Sequence, residues 1–226
     1  MWSPASPRLR HSLTVLTLAG LLASAGGIAS AASASASASP GQAGNASKTA
    51  SKSLTVKYKV TGTTLIKSVD ASAPLGPGKL TATVNLTTAK LTADLSLPPA
   101  TISFKEFGIV PVTATVNLVQ DGQTTGQLNV NTGAVTTKSK ITLQLTALFI
   151  SGLAIPVPAT CQSATPATVK LVSQKGFSVT KGGPLAGTYT IPPVANCGEL
   201  TALLNVIFPG PDNTINLKLG AAKVVS

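Results

Sequence analysis

The feature that most constrains this chain is a two-residue hydrophobic alternation that recurs from residue 54 almost to the C-terminus. Leu54, Val56, Tyr58 and Val60 alternate with Thr55, Lys57 and Lys59; Leu80, Ala82, Val84 and Leu86 alternate with Thr81, Thr83, Asn85 and Thr87; Leu91, Ala93, Leu95 and Leu97 alternate with Thr92, Asp94 and Ser96. Successive side chains of an extended chain point to opposite faces, so each run predicts a half-buried strand. The two runs between residues 80 and 97 are close enough to form a hairpin. Val112, Ala114, Val116 and Leu118 continue the pattern, and Leu128 and Val130 return it. The longest run, Val135, Thr137, Ser139, Ile141, Leu143, Leu145, Ala147 and Phe149, predicts a strand bent or bulged to serve two sheets. Strands are also expected around Thr168–Ser173 and Leu185–Ile191, and through Ile215, Leu217 and Leu219.

Punctuation comes from proline and glycine. Pro74, Gly76, Pro77 and Gly78 predict a loop from Asp70 to Lys79, and Ile102 and Phe104 fit a short bridge. Thr81-Ala82-Thr83-Val84-Asn85-Leu86 recurs as Thr113-Ala114-Thr115-Val116-Asn117-Leu118, which predicts two similarly placed strands rather than a solenoid. The period changes once. Leu200, Leu203, Leu204 and Ile207 fall at i, i+3, i+4 and i+7, with Glu199 in the first turn and Pro209-Gly210 at the end, predicting one short amphipathic helix near residues 199–208. Nine or ten strands with one helix make the chain all-β, as an antiparallel β-sandwich of Greek-key type or a partly closed barrel.

The first 31 residues have the build of a secretory signal peptide: basic Arg8, Arg10 and His11, an apolar run from Leu13 to Leu22, then small residues with a cut expected after Ala31. The apolar run is about half the roughly 20 residues a membrane span needs, so no permanent anchor is expected. Residues 32–52 read as a disordered Ala/Ser-rich leader and residues 53–225 as a single β domain. In an oxidising compartment the two cysteines, Cys161 and Cys197, are expected to form a disulfide beside the helix that Cys197 precedes. A released extracellular protein, loosely held at a cell wall, is the expected localisation.

Both arginines and the single histidine fall in the export segment, leaving fifteen lysines against six acids. That surplus favours contact with anionic polymers. Without arginine the bidentate recognition of phosphate or guanine is missing, and stacking aromatics are scarce, so nucleic acid is not an expected partner. Without histidine no imidazole can activate a serine or cysteine, and zinc sites of the histidine type cannot be assembled. Ser178-Val179-Thr180-Lys181 has the spacing that on a helix brings an amine to a hydroxyl, but its residues are β-prone and glycines flank them. The carboxylates Asp70, Asp94, Glu106, Asp121, Glu199 and Asp212 each fit a turn, an outward strand position or a helix start. No catalytic residue, cofactor or metal ligand is therefore expected; Lys181, Asp94 and Glu106 are the positions an enzyme would have to use.

The segment Pro156 to Cys161, the run from Lys181-Gly182-Gly183-Pro184 to Ile191-Pro192-Pro193, Asn196-Cys197-Gly198 and Leu200 to Gly210 together resemble secreted actinomycete β-rich proteins of uncharacterised function. The resemblance implies export and a disulfide-stapled β domain, and carries no activity. The leading functional expectation is a non-enzymatic extracellular domain acting by surface contact, retained at the cell wall by lysine attraction to anionic polymers. The alternative is a carrier, with inward Leu, Val, Ile and Phe lining a cavity for an apolar ligand.

Overall fold

The computed structural model describes residues 52–225. The expected signal peptide and nearly all of the expected leader lie outside the described residues. Fourteen strands and one helix are described: β1 (Ser53–Ile66), β2 (Ala71–Asn85), β3 (Lys90–Ser96), β4 (Ala100–Glu106), β5 (Val110–Gln120), β6 (Thr124–Leu128), β7 (Val135–Ile150), β8 (Leu153–Ile155), β9 (Gln162–Ser163), β10 (Ala167–Ser173), β11 (Gly183–Ile191), β12 (Val194–Ala195), α1 (Leu200–Ile207), β13 (Gly210–Leu219) and β14 (Lys223–Val225).

Of the two expected architectures the chain adopts the barrel, and closes it completely. From β7 the ladder passes through β10, β11, β13, β1, β2, β3 and β6 and returns to β7, every pair antiparallel. The first half of β7 makes this possible by pairing on both edges. Thr125 to Leu128 of β6 face Lys138 to Val135 on one side, and Ala167 to Val172 of β10 face Ile141 to Thr136 on the other.

The second half of β7 leaves the barrel wall and supports a second layer. β5 pairs with it from Gln120 opposite Ile141 to Val112 opposite Ile150, β4 pairs outside β5, and β8 folds back as a hairpin. The expected bend is a bulge. Thr115 faces Ala147 and Val116 faces Leu145, so Thr146 is the extra residue, and its hydroxyl donates to the Thr115 carbonyl over 3.1 Å. A bulge reverses the facing of every residue after it. Leu148 is consequently buried and Phe149 turns to the outside, which corrects the expectation that Ala147 and Phe149 continue the inward row.

Two other expectations are corrected. The segment Asp70–Lys79 is strand from Ala71 onward, because the turn is made earlier, by a 3-10 turn over Lys67–Val69 and Asp70 in the left-handed region (φ 45°). Gly76 and Pro77 are absorbed in a bulge: Gly78 faces Val60 and Leu75 faces Gly62. A Cβ on Gly76 would lie 2.5 Å from the Val60 carbonyl oxygen, so only glycine fits there. Ile102 and Phe104 belong to a full strand, β4, and both point into the core. The repeated hexapeptide does form similar strands, with Ala82 and Val84 of β2 and Ala114 of β5 buried.

The helix forms where the period predicted it. Leu204 is buried to 1% exposure, while Leu203 stays 45% exposed, so the apolar face is narrower than its spacing implied. Asn205 ties α1 to the preceding chain: its Oδ1 accepts the Val194 N–H (2.7 Å) and its Nδ2 donates to the Val194 carbonyl (3.0 Å). Beside it Cys161 and Cys197 form the disulfide, both sulfurs in one core with Leu204, Phe104 and Leu148. With the cysteines at a sequence separation of 36, the chain-entropy relation gives about 4 kcal/mol of stabilisation. The double variant Cys161→Ser/Cys197→Ser is expected to lose about that much in urea denaturation, with the midpoint lowered and the slope against urea little changed.

Candidate ligand site inside the barrel

The inward rows do not fill the barrel. Calling the end where β1 begins the lower one, three voids follow one another along the interior. A lower cavity of about 70 Å³ lies among Val56, Tyr58, Ala82, Ala93 and Leu217. A middle one of about 40 Å³ lies among Leu75, Leu118, Ile141 and Val169. An upper one of about 100 Å³ reaches Ile66, Ile102, Leu204 and Phe208. They share walls: Ser139, Leu171 and Leu217 border the lower and middle voids, and Thr64, Leu75 and Tyr189 border the middle and upper ones.

The voids follow from side-chain size. An eight-stranded barrel is just wide enough for its side chains to fill, or for one small ligand. Across β2, β3, β6 and β7 the inward positions at one level are Ala82, Ala93, Thr124 and Ser139, all small, with Ala82 directly opposite Ala93. A wall of small residues facing Val and Leu leaves space in the middle. The upper void is of the order of an engineered ~150 Å³ apolar cavity that stays dry and takes up benzene, yet each void is well below the ~300 Å³ of a pocket for a drug-sized molecule. The interior therefore suits a slender aliphatic chain and not a bulky ring system.

Both ends are covered. At the upper end Leu204 and Phe208 close the cavity, and the Phe208 ring stands edge-on to Phe104 with centroids 5.7 Å apart. At the lower end the β10–β11 connection crosses the opening as a strap and places Phe177 and Val179 in the cavity wall. It is tied by the Tyr58 hydroxyl, which donates to the Val179 carbonyl over 2.6 Å, and by the Ser178–Gly182 bridge.

The Ser178 to Lys181 spacing lies in this strap. There the Lys181 amide donates to the Ser178 hydroxyl oxygen (3.0 Å), so the serine serves a turn and no helix brings the Lys181 amine to it. Asp94 sits on the outer wall, accepting from Gln123 Nε2 at 3.0 and 3.3 Å, and Glu106 ends β4 at the far tip of the β4–β5 hairpin. The structure does not bring Lys181, Asp94 and Glu106 into one site. Among the described residues no three His, Cys, Asp or Glu side chains gather where a metal ion could be held.

Sequence reasoning missed Thr124, Phe177 and the strap. Thr137 and Ser139 were signals in plain view: hydroxyl residues in an inward row of Val, Ile and Leu. The polar groups on the cavity walls are few. Tyr189 and Thr64 are hydrogen-bonded at 2.7 Å and Thr64 donates to the Thr214 carbonyl at 2.8 Å. Thr124 and Ser139 face each other at 2.7 Å.

A closed eight-stranded antiparallel barrel with a capped, apolar and partly empty interior is thus the class of protein defined here. In comparisons with known proteins the chain matches no family model, no curated protein and no solved structure. No helix among the described residues is long and apolar enough to cross a membrane.

Burial pushes the phenols of Tyr58 and Tyr189 above their ordinary value of 10.0; at Tyr189 the hydrogen bond with Thr64 pulls back against the rise. The unfolded chain releases these protons near pH 10 while the folded barrel keeps them. Stability is then full below pH 10 and falls as the pH rises above it. These are the only two tyrosines, so phenolate absorbance reads them directly. Phenolate is expected to appear only above pH 10 and together with loss of the β signal in circular dichroism; a folded barrel that ionises at pH 10 would contradict the burial.

Proposed function

We propose that the protein is an exported, non-enzymatic carrier that holds a slender apolar ligand inside the barrel. The observation that carries this is the chain of three adjoining voids, lined mainly by Val, Leu, Ile and Ala with a few hydroxyl and aromatic side chains, and covered at both ends. A barrel serving only as a scaffold gains stability by filling such space, since each unfilled void forgoes packing contacts. Export is supported by the basic and apolar segments ahead of the small-residue stretch and by the disulfide, which persists outside the cytosol.

The test is capture. Secreted protein examined by native mass spectrometry is expected to carry a bound aliphatic molecule, released by organic extraction. Ala93→Leu extends a side chain into the lower cavity and is expected to abolish uptake of a long-chain probe, while costing no more than the ~1–3 kcal/mol typical of overpacking. Uptake undiminished in that variant, with the fold retained, would place the ligand elsewhere.

A second reading, surface contact with an anionic wall polymer, is favoured by one row on the outer wall. Thr92, Thr125, Lys138, Lys170, Thr188 and Thr214 follow one another across six strands with no carboxylate among them, and Lys138 lies directly opposite Lys170. Like charges opposite each other destabilise a ladder unless an anion lies between them. On immobilised poly(glycerol phosphate), Lys138→Gln and Lys170→Gln are each expected to weaken retention by roughly fivefold at low salt. Retention that ignores both substitutions and is unaffected by added salt would remove this reading.

A further inference from the structure

We infer that the carried ligand is an uncharged aliphatic chain bearing one oxygen acceptor, of the ester or ketone class, and that Thr124 and Ser139 bind that oxygen at mid-barrel. The inference rests on the carrier reading and names what the carrier selects.

Each hydroxyl brings one O–H donor and two acceptor lone pairs. Thr124 and Ser139 are buried to 4% and 6% exposure, line the lower cavity, and hydrogen-bond each other at 2.7 Å; Ser139 also borders the middle cavity. Neither bonds any other group among the described residues. Two protons are present and their mutual bond uses one, whichever way it points, so one donor is left facing an apolar void.

The other buried hydroxyls on these walls differ. The Tyr58 proton goes to the Val179 carbonyl. Thr64 donates to the Thr214 carbonyl, which leaves Tyr189 as the donor of the Tyr189–Thr64 bond, so both of those protons are used. A surplus donor therefore stands on the wall of small residues, where there is space for a ligand atom, and the half-buried Thr137 hydroxyl lines the same lower cavity two residues before Ser139 on β7. An apolar pair of the same shape would pack there without leaving a donor unmatched.

Charge narrows the class further. Every described lysine is exposed, so no cation faces the interior. A carboxylate brought to mid-barrel would be a buried, unpaired charge, which is far costlier than a neutral carbonyl there. The arrangement accepts an ester or ketone oxygen and rejects a free fatty acid.

The experiment compares three probes on the delipidated secreted chain, methyl decanoate, undecane and decanoate, following the fluorescence of Tyr58 and Tyr189. Wild type is expected to bind the ester about three- to tenfold more tightly than the alkane, the range of one neutral hydrogen bond, and decanoate more weakly than either. In Thr124→Val/Ser139→Ala the ester is expected to fall to the alkane's affinity while the alkane is unaffected. Should the double variant fail to fold, the wild-type ranking decides alone. Equal binding of ester and alkane, tightest binding of decanoate, or an ester preference that survives in the double variant overturns the hydroxyl assignment and leaves the carrier reading intact. Binding of none of the three overturns both.

Discussion

Six residue pairs between β7 and β10 determine what the rest of the molecule can be. Without them the ladder would be an open sheet with β10 at one edge, its backbone donors and acceptors unpaired and exposed to further strands. With Ala167–Val172 set against Ile141–Thr136 the sheet has no free edge at that level, and every inward row faces other inward rows across one enclosed space. The interior is then a fixed volume to be filled from eight sides. Ala82, Ala93, Thr124 and Ser139 do not fill it, and the voids are the direct result.

β7 can close the barrel only because it leaves it. A strand of sixteen residues with one unbroken alternation would present a single face throughout. The extra residue at Thr146 shifts the alternation by one place, so that side chains on either side of it face the same core, the one built around the disulfide. Leu145, before the bulge, and Leu148, after it, both belong to that second core. Because Leu204 of α1 and Phe208 after it line the upper void and pack in the core that holds the disulfide, the same core that stabilises the fold also seals one end of the cavity.

What was legible in the sequence is local. Alternation located the strands, and the change of period located α1, because side-chain direction is set within a few residues. Cys161 and Cys197 could be paired because nothing else in the chain competes for either. Closure was not legible, since the register of β10 on β7 depends on residues thirty positions apart, and a sandwich has the same alternation. The loop expected at Asp70–Lys79 failed for a related reason: Pro74 and Gly76 do break a regular ladder, but β1 has a matching bulge between Val60 and Gly62 that accommodates them. In the candidate site, the inward hydroxyls of Thr137 and Ser139 could be read as an anomaly, yet Thr124, the partner of Ser139, stands on a different strand in a five-residue segment too short for a pattern to declare itself.

The two closures of the cavity are held by forces of different size. The upper cap is tied covalently through the Cys161–Cys197 disulfide just before α1, and by the paired hydrogen bonds of Asn205. The lower strap is tied to the rest of the barrel by the Tyr58 hydroxyl on the Val179 carbonyl and the Ala222 amide on the Thr180 carbonyl (2.9 Å), each worth about 1 kcal/mol, and is pinched by the Ser178–Gly182 bridge within it, where Gly176 and Gly182 hold φ values of 89° and 75°. Opening the strap exposes Phe177 and Val179, whereas opening the upper cap takes Leu204 and Phe208 out of the core that holds the disulfide. The free-energy difference makes the lower end the easier route between the void and solvent, and it places the unmatched hydroxyl donor of the Thr124–Ser139 pair one void's length from that route, with the deeper middle and upper voids beyond it to receive the rest of a chain.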